Sequence, residues 1–426
     1  MVAVSGRPPP VSIEDLAEPR FDPATEQLRA AMTAMAPECP IEPDALCATA
    51  SQQVGLGDFG DARFRSSLAV LCDALGSEAG LSGPGVVSWY RQLVQFLKSR
   101  LLVEDLYRRH PEIAAVRIDR PIIICGLPRT GTTHLHNLIS ADPALRSLPY
   151  WESLEPVLAE AEVPAPGGAD PRRSRTQFAL EVMDGALPYF KRMHEMTVDH
   201  VHEEIQLLAM DLSTMLFETQ ALLPTWRDHY KAEDQTLSYA YLRRVLQVLQ
   251  WLRGGERWVL KSPQHLGQFR PLVETFPDAT FVVTHRDPAS VTVSMATMIA
   301  YTARMSVEQI DPPAIGRYWS ARVEDLFRSC AEDRHVLGAA QSIDVRFHEF
   351  MADDIATVEA VYRVAKQPFT AATGVAMERF VADHPRGRHG AVAYRPEALG
   401  IDRRERRAAL ADYMAAFGVR SEVGGD

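Results

Sequence analysis

A chain of 426 residues, 46 % hydrophobic and 24 % charged, has the makeup of a globular protein with a large core, which excludes disorder, collagen and coiled coil as global descriptions. Its formal net charge of −11 removes any broad pull toward nucleic acid or anionic lipid, so an anionic ligand has to be met by a local basic cluster. The five scattered cysteines, Cys39, Cys47, Cys72, Cys125 and Cys330, fit neither a disulfide scaffold nor paired zinc ligands and point to a reducing, cytoplasmic setting.

Residues 1 to about 24 form a loose Pro-rich lead. It lacks a long apolar core and runs into prolines and acids, so it reads as neither signal peptide nor anchor. Nowhere do about 18 apolar residues run together without charge, and no membrane-spanning helix is expected. From the lead to about residue 110 the pattern is helical, with Gly-rich breaks at GLGDFGD and SEAGLSGPG. Trp89, Leu93, Phe96, Leu97, Leu101 and Leu102 recur at helical spacing and mark an amphipathic helix in need of a packing partner. Residues 1–115 are therefore read as an N-terminal helical region.

At Pro121 the period changes. Pro121-Ile-Ile-Ile-Cys125 is apolar on both faces, which suits a buried central strand of a parallel sheet, and it runs through Gly126 into a helical pattern at Leu135, Leu138 and Ile139. Trp258–Leu260, Thr280–Thr284 and Ile343–Phe347 repeat the device, each followed by a turn and a helix. This alternation predicts an α/β fold over residues 116–426, a central parallel sheet flanked by helices. Between about 153 and 255 no such strand occurs; HEEIQLLAMDLSTMLFETQ and LSYAYLRRVLQVLQWLRG have helical spacing. A helical insertion that shapes a substrate site is expected there.

Gly126-Leu-Pro-Arg129-Thr130-Gly131-Thr132-Thr133 lies between the first strand and its helix. Two glycines let the backbone turn tightly with converging N–H groups, and the helix N-terminus adds positive potential, so the segment is an anion cradle. A nucleoside-triphosphate loop would carry Lys after the second Gly, where this chain has Thr132, and its basic residue, Arg129, comes earlier. Further on, Asp287-Pro288 has the form of an N-cap and first helical position. Ser294 then lies about two turns past the cap, on the face where the helix begins, so Arg286 and Ser294 can share one phosphate.

GLPRTGTTHL resembles the 5′-phosphosulfate loop of sulfotransferases that use PAPS (3′-phosphoadenosine 5′-phosphosulfate), and THRDPASVTVSM resembles their Arg-and-Ser motif for the 3′-phosphate. The stretch Trp258-Val-Leu-Lys261-Ser-Pro is similar to one in protein-tyrosine sulfotransferases and bacterial relatives. The resemblance implies a donor site made of Arg129, Thr130, Gly131, Thr132, Thr133, Arg286 and Ser294, with Lys261 on the bridging region of the donor and adenosine 3′,5′-bisphosphate as product. His384-Pro-Arg386-Gly-Arg388-His-Gly390 is similar to the basic segment that closes over the nucleotide, which would add Arg386 and Arg388 as ligands. The bland alternative for both is a solvated basic loop.

Sulfuryl transfer, like phosphoryl transfer, rests on positioning and electrostatics, and this scheme requires no metal. Arg129 and Lys261 fit the stabilising roles. For the base that takes the acceptor's proton the resemblance favours Glu152 in SLPYWESLEP, with His202 or Glu204 in DHVHEEIQ as alternatives. The His194, His200, His202 and Glu203 group lacks the His-Glu-x-x-His spacing of a metal site. Met193, Met196, Met210, Met215, Phe217, Trp226 and Tyr230 supply apolar surface in the insertion. A minority of them lining a pocket would make the acceptor a hydrophobic small-molecule or lipid hydroxyl rather than a polyanion. The rivals are a P-loop kinase of a small alcohol and a non-catalytic nucleotide or lipid carrier.

Overall fold

A computed structural model describes residues 8–422. Among the described residues there are six strands: β1 (Val11–Ser12), β2 (Ile122–Cys125), β3 (Val259–Ser262), β4 (Thr280–His285), β5 (Ser342–Arg346) and β6 (Val392–Ala393). The central sheet has the order β3-β2-β4-β5, with every pair parallel. β2 is fully buried because helices cover both faces, and its residues alternate between two hydrophobic clusters. Ile122 and Ile124 join Leu135, Leu138 and Val358 on one face; Ile123 and Cys125 join Trp89, Leu97 and Leu242 on the other. β3 and β4 lie on opposite sides of β2. Successive connections therefore diverge around the carboxyl end of β2, the switch point at which open α/β sheets hold ligands.

The N-terminal helices Pro23–Met35, Pro43–Val54, Phe64–Ser77 and Gly83–Arg109 build no core of their own. Trp89, Leu93, Leu97 and Leu101 of the long helix, at most 1 % exposed, enter the cluster beneath the sheet. Ser82 caps that helix through the amide of Gly85. Its buried Arg100 pairs with Asp211 at 2.7 Å and donates to the Phe59 carbonyl, so one guanidinium joins this region to the insertion.

Two expectations change. The part of the lead that is described is fastened: β1 pairs in parallel with β6 and Asp15 accepts from Arg304 at 2.9 Å, while residues 1–7 of the lead lie outside the described residues. The HEEIQLLAMDLSTMLFETQ segment is not one helix but a short turn of helix, Ile205–Ala209, and a 3-10 turn, Phe217–Thr219. Polar side chains break it. Ser213 bonds Gln235 at 2.6 Å, Thr214 bonds Gln264 at 2.9 Å and accepts from the Leu216 amide, and Leu212 takes a φ of 50°. The helices Pro171–Ala186, Pro224–Ala232 and Thr236–Arg253 supply the helical content of the insertion. Among the described residues no helix is long and apolar enough to cross a membrane.

Candidate active site

The loop after β2 is shaped by contact with β4. A Cβ on Gly126 would lie 1.8 Å from the Thr284 hydroxyl, so only glycine lets the two strand ends pass. Thr130 closes the turn, bonding the Leu127 carbonyl at 2.7 Å and Thr284 at 2.6 Å. Arg129 and Gly131 have φ of 73° and 90°, and the left-handed geometry is a strained one for arginine. The helix Thr132–Ser140 then starts with no side chain capping it. Its first amides are left for a ligand at the positive end of the helix dipole.

Arg286 follows β4, and Asp287 caps the helix Pro288–Thr302 through the Ala289 amide. The Arg286 guanidinium packs 3.8 Å above the Phe347 ring, donates to the Arg129 carbonyl, and holds both oxygens of Glu422 at 2.5 and 2.7 Å. Ser294 accepts from Arg129 Nε at 2.9 Å and donates to Tyr394 at 2.7 Å. Arg129 thus points to Ser294 and Tyr394 and stands between the two residues of the second motif. The Tyr394 hydroxyl and the Glu422 carboxylate have no sequence signal; each arrives from the last part of the chain by tertiary contact.

Lys261 is buried on β3, one strand away from the loop, in register with Ile124. Its ammonium pairs with Glu203 and its amide donates to Glu204 at 2.8 Å. Glu204 does not face the cavity. Its other oxygen meets His265 Nε2 at 2.5 Å, and His265 Nδ1 meets the Tyr239 hydroxyl at 2.8 Å. Burial raises the affinity of Glu204 for a proton, but His265 and the Lys261 amide outweigh it and hold the carboxyl below its usual range.

Beside these groups lies a cavity of about 1040 Å³, whose lining does not include Lys261, Ser294, Tyr394 or Glu422; it is at the upper end of the roughly 300–1,000 Å³ typical for one ligand and so roomy enough for two reactants. Arg129, Gly131, Thr132, Thr133, Arg286, Glu203, His194, His200 and His202 all line it. The helix Pro288–Thr302 runs along its length: beyond Ser294 come Met295, Met298, Ile299 and Thr302, a rise of about 12 Å. Met305, Ser88, Gln92, Met183, Leu187, Met215 and Leu216 also line it. The buried carbonyl oxygens of Gln92 and Gln206 in this wall have no hydrogen-bond partner. Arg386 and Arg388 also line the cavity, each engaged: Arg386 with Asp354 at 2.9 Å, Arg388 with Glu195.

Glu152 departs from expectation. Its carboxylate is fully buried, accepts from Arg146 at 3.2 Å and Arg253 at 3.0 Å, and is absent from the cavity wall. With both oxygens committed to guanidinium groups it has the geometry of a structural ion-pair partner. The imidazoles behave differently. His200 Nδ1 lies 2.8 Å from the Thr197 carbonyl and accepts from the Thr197 amide at 3.3 Å in the other tautomer, and its Nε2 lies 2.9 Å from His202 Nδ1. In the tautomer in which His200 donates to the Thr197 carbonyl, His202 Nδ1 is the donor to His200 and its Nε2 keeps the lone pair; this buried Nε2 has no hydrogen-bond partner. Burial first, then His200, His194 and Lys261, push His202 well below the usual histidine range, so it stands neutral. Among the described residues no cluster of three or more His, Cys, Asp or Glu side chains is arranged to hold a metal ion.

Two crystal structures of mycobacterial sulfotransferases share this architecture. STF1 from Mycobacterium tuberculosis H37Rv aligns with a TM-score of 0.76 at 30 % identity, over 87 % of this chain and 98 % of that one. STF9 from Mycobacterium avium aligns at 0.79 and 26 %, over 89 % and 97 %. The omega-hydroxy-beta-dihydromenaquinone-9 sulfotransferases Stf3 of Mycobacterium bovis and Mycobacterium tuberculosis are 25 % identical over 257 residues, 58 % of this chain. The chain spans 62 % of the length of these curated relatives. A sequence model described as the sulfotransferase family matches residues 121–371, the segment that holds the loop, Lys261, Arg286 and Ser294, and on that match the chain belongs to the sulfotransferase family.

Proposed function

We propose that the protein transfers the sulfuryl group of PAPS to the hydroxyl of a hydrophobic, lipid-like alcohol and releases adenosine 3′,5′-bisphosphate. The observation that carries this reading is that residues of the anion cradle and a set of methionines and leucines line one and the same cavity. The residues fit the donor. The uncapped amides at Thr132 and Thr133 suit the 5′-phosphosulfate, and Arg286, Ser294 and Arg129 suit the 3′-phosphate. The Glu422 carboxylate on Arg286 supports the second assignment, since it is an anion bound bidentately at that guanidinium. Lys261 stabilises the charge that gathers on the oxygen leaving sulfur. Bound PAPS would supply a transferable sulfuryl group on a good leaving group.

His202 replaces Glu152 in our reading as the base. Its Nε2 takes the proton of the acceptor hydroxyl as that oxygen bonds to sulfur and the bond from sulfur to the phosphate oxygen breaks. The tautomer needed for this is the one in which His200 donates to the Thr197 carbonyl and accepts from His202. The chamber favours a flexible apolar acceptor, because methionines adapt to irregular chains. The name of the Stf3 relatives, which describes a hydroxylated menaquinone, points to an acceptor of the same lipid character.

Calorimetric titration with adenosine 3′,5′-bisphosphate and with ATP·Mg tests the donor, and transfer of labelled sulfuryl groups to long-chain alcohols, phenols and polysaccharides tests the acceptor. Binding of the bisphosphate with turnover of the long-chain alcohols is expected. Tight ATP·Mg binding without a response to the bisphosphate, or a preference for polysaccharide, would overturn the reading.

A further inference from the structure

We infer that the adjacent pair Glu203 and Glu204 positions Lys261, one carboxylate holding its ammonium and the other its backbone amide. This rests on Lys261 acting on the donor, as proposed above. A lysine buried on a central sheet is costly to keep charged unless a carboxylate meets it, and its four-carbon stem has many rotamers to choose from. Both problems are met here by one dipeptide. Glu203 stands between the ammonium and the cavity, with the Lys261 and Glu203 side chains only 4 % and 15 % exposed. Glu204, with 1 % side-chain exposure, spends one oxygen on the Lys261 amide and the other on His265, which Tyr239 holds in turn. The end of β3 is thereby tied to the insertion through a chain of buried hydrogen bonds in which each member is satisfied.

The two carboxylates have different tasks. Glu204 is sealed from the cavity and fixes the backbone from which Lys261 extends. Glu203 lines the cavity, so an incoming sulfuryl or phosphate oxygen meets the ammonium already aimed and has only to take over from the carboxylate. Glu203 acts through Lys261 and is a positioning residue.

The test is a double-mutant cycle on the full chain with Glu203→Gln and Lys261→Met, read by kcat, KM and bisphosphate affinity. Glu203→Gln alone is expected to lower kcat about 10- to 100-fold, the cost of slight misplacement of a catalytic group. Bisphosphate affinity should be unchanged or tighter, since a negative charge leaves the wall. Glu203→Asp should restore part of kcat. In the Lys261→Met background Glu203→Gln should have no further effect, because nothing is left to aim. An equal fall in kcat in both backgrounds would overturn the inference, because Glu203 would then act in its own right. The same cycle read by thermal unfolding needs no turnover. If the wild type binds no bisphosphate and sulfates no alcohol, the functional reading fails, while additive or coupled melting shifts still decide whether Glu203 works through Lys261.

Discussion

The two ends of the cavity are built by different means. The proposed donor end is made of backbone and of hydroxyl and guanidinium groups that hold one another: Thr130 on Thr284, Arg129 on Ser294, Arg286 on the Arg129 carbonyl. The proposed acceptor end is made of side chains, methionines and leucines from the insertion, methionines and Ile299 from the helix Pro288–Thr302, and Ser88 and Gln92 from the long N-terminal helix. One end has fixed geometry and the other has adaptable volume. Donor binding should therefore be lost by changing single charges, whereas acceptor choice should drift by degrees as the apolar wall is altered.

The largest expected effect falls where the two ends meet. His202→Ala should lower kcat by about 10²- to 10⁴-fold, the range for a general base, with bisphosphate affinity unchanged in calorimetry. Because burial holds His202 neutral well below the usual histidine range, and His200 down to about 4, kcat should stay level as pH falls through 6.5 (about the usual histidine value). A fall in rate centred near that value would assign the base elsewhere. Next comes the donor end. Arg286→Ala should weaken bisphosphate binding by about 2–5 kcal/mol, the loss typical of one partner in a buried charged pair, and isothermal titration reads it directly.

Glu152→Gln sharpens the contrast from outside the cavity. It should cost about 1–3 kcal/mol in chemical denaturation, since Arg146 and Arg253 lose their counter-charge, while kcat stays within about threefold. A collapse of kcat with the fold intact would restore Glu152 as the base. Met298→Ala should raise the KM of a long-chain alcohol by about 1–2 kcal/mol, as expected for truncating one apolar contact, and leave the bisphosphate untouched. The smallest effect concerns pH and stability. His200 and His202 have folded-state proton affinities below their unfolded ones, so the unfolded chain binds more protons and stability declines as pH drops below about 6.5. Thermal melts between pH 7 and 5 should show a shift of a few degrees, reduced in the His200→Ala variant.

The contrast also explains what could be read from the chain. The donor end was legible because its signals are local. Ile122–Cys125 must be a buried strand, Gly126 and Gly131 must turn, and Asp287 must cap, whatever surrounds them. The acceptor end and the base were not, since their properties arise from contacts between distant segments. Nothing near Glu152 announces Arg253, nothing near His202 announces that its Nε2 is left without a partner, and Glu203 looks like any surface acid until β3 delivers Lys261 to it. The misread helix after His202 failed for a related reason: Ser213 and Thr214 spend their hydroxyls on Gln235 and Gln264, far along the chain.

β1 and β6 are only two residues each, yet they join the beginning of the described chain to its last third. Between Asp383, the last residue of a helix, and β6 hangs the basic segment with Arg386 and Arg388. Arg192 adds a second fastening, donating to the Pro9 carbonyl at 2.7 Å. A span tethered at both ends has already surrendered most of its conformational freedom before any nucleotide arrives, and closing so short a loop costs little more. The opening residues thus pin one end of this stretch of the cavity wall. Trimming them through Ser12, or hauling on them with a bulky fusion partner, should be felt as slower, looser nucleotide capture at a place remote in sequence, with the methionine chamber left as it was.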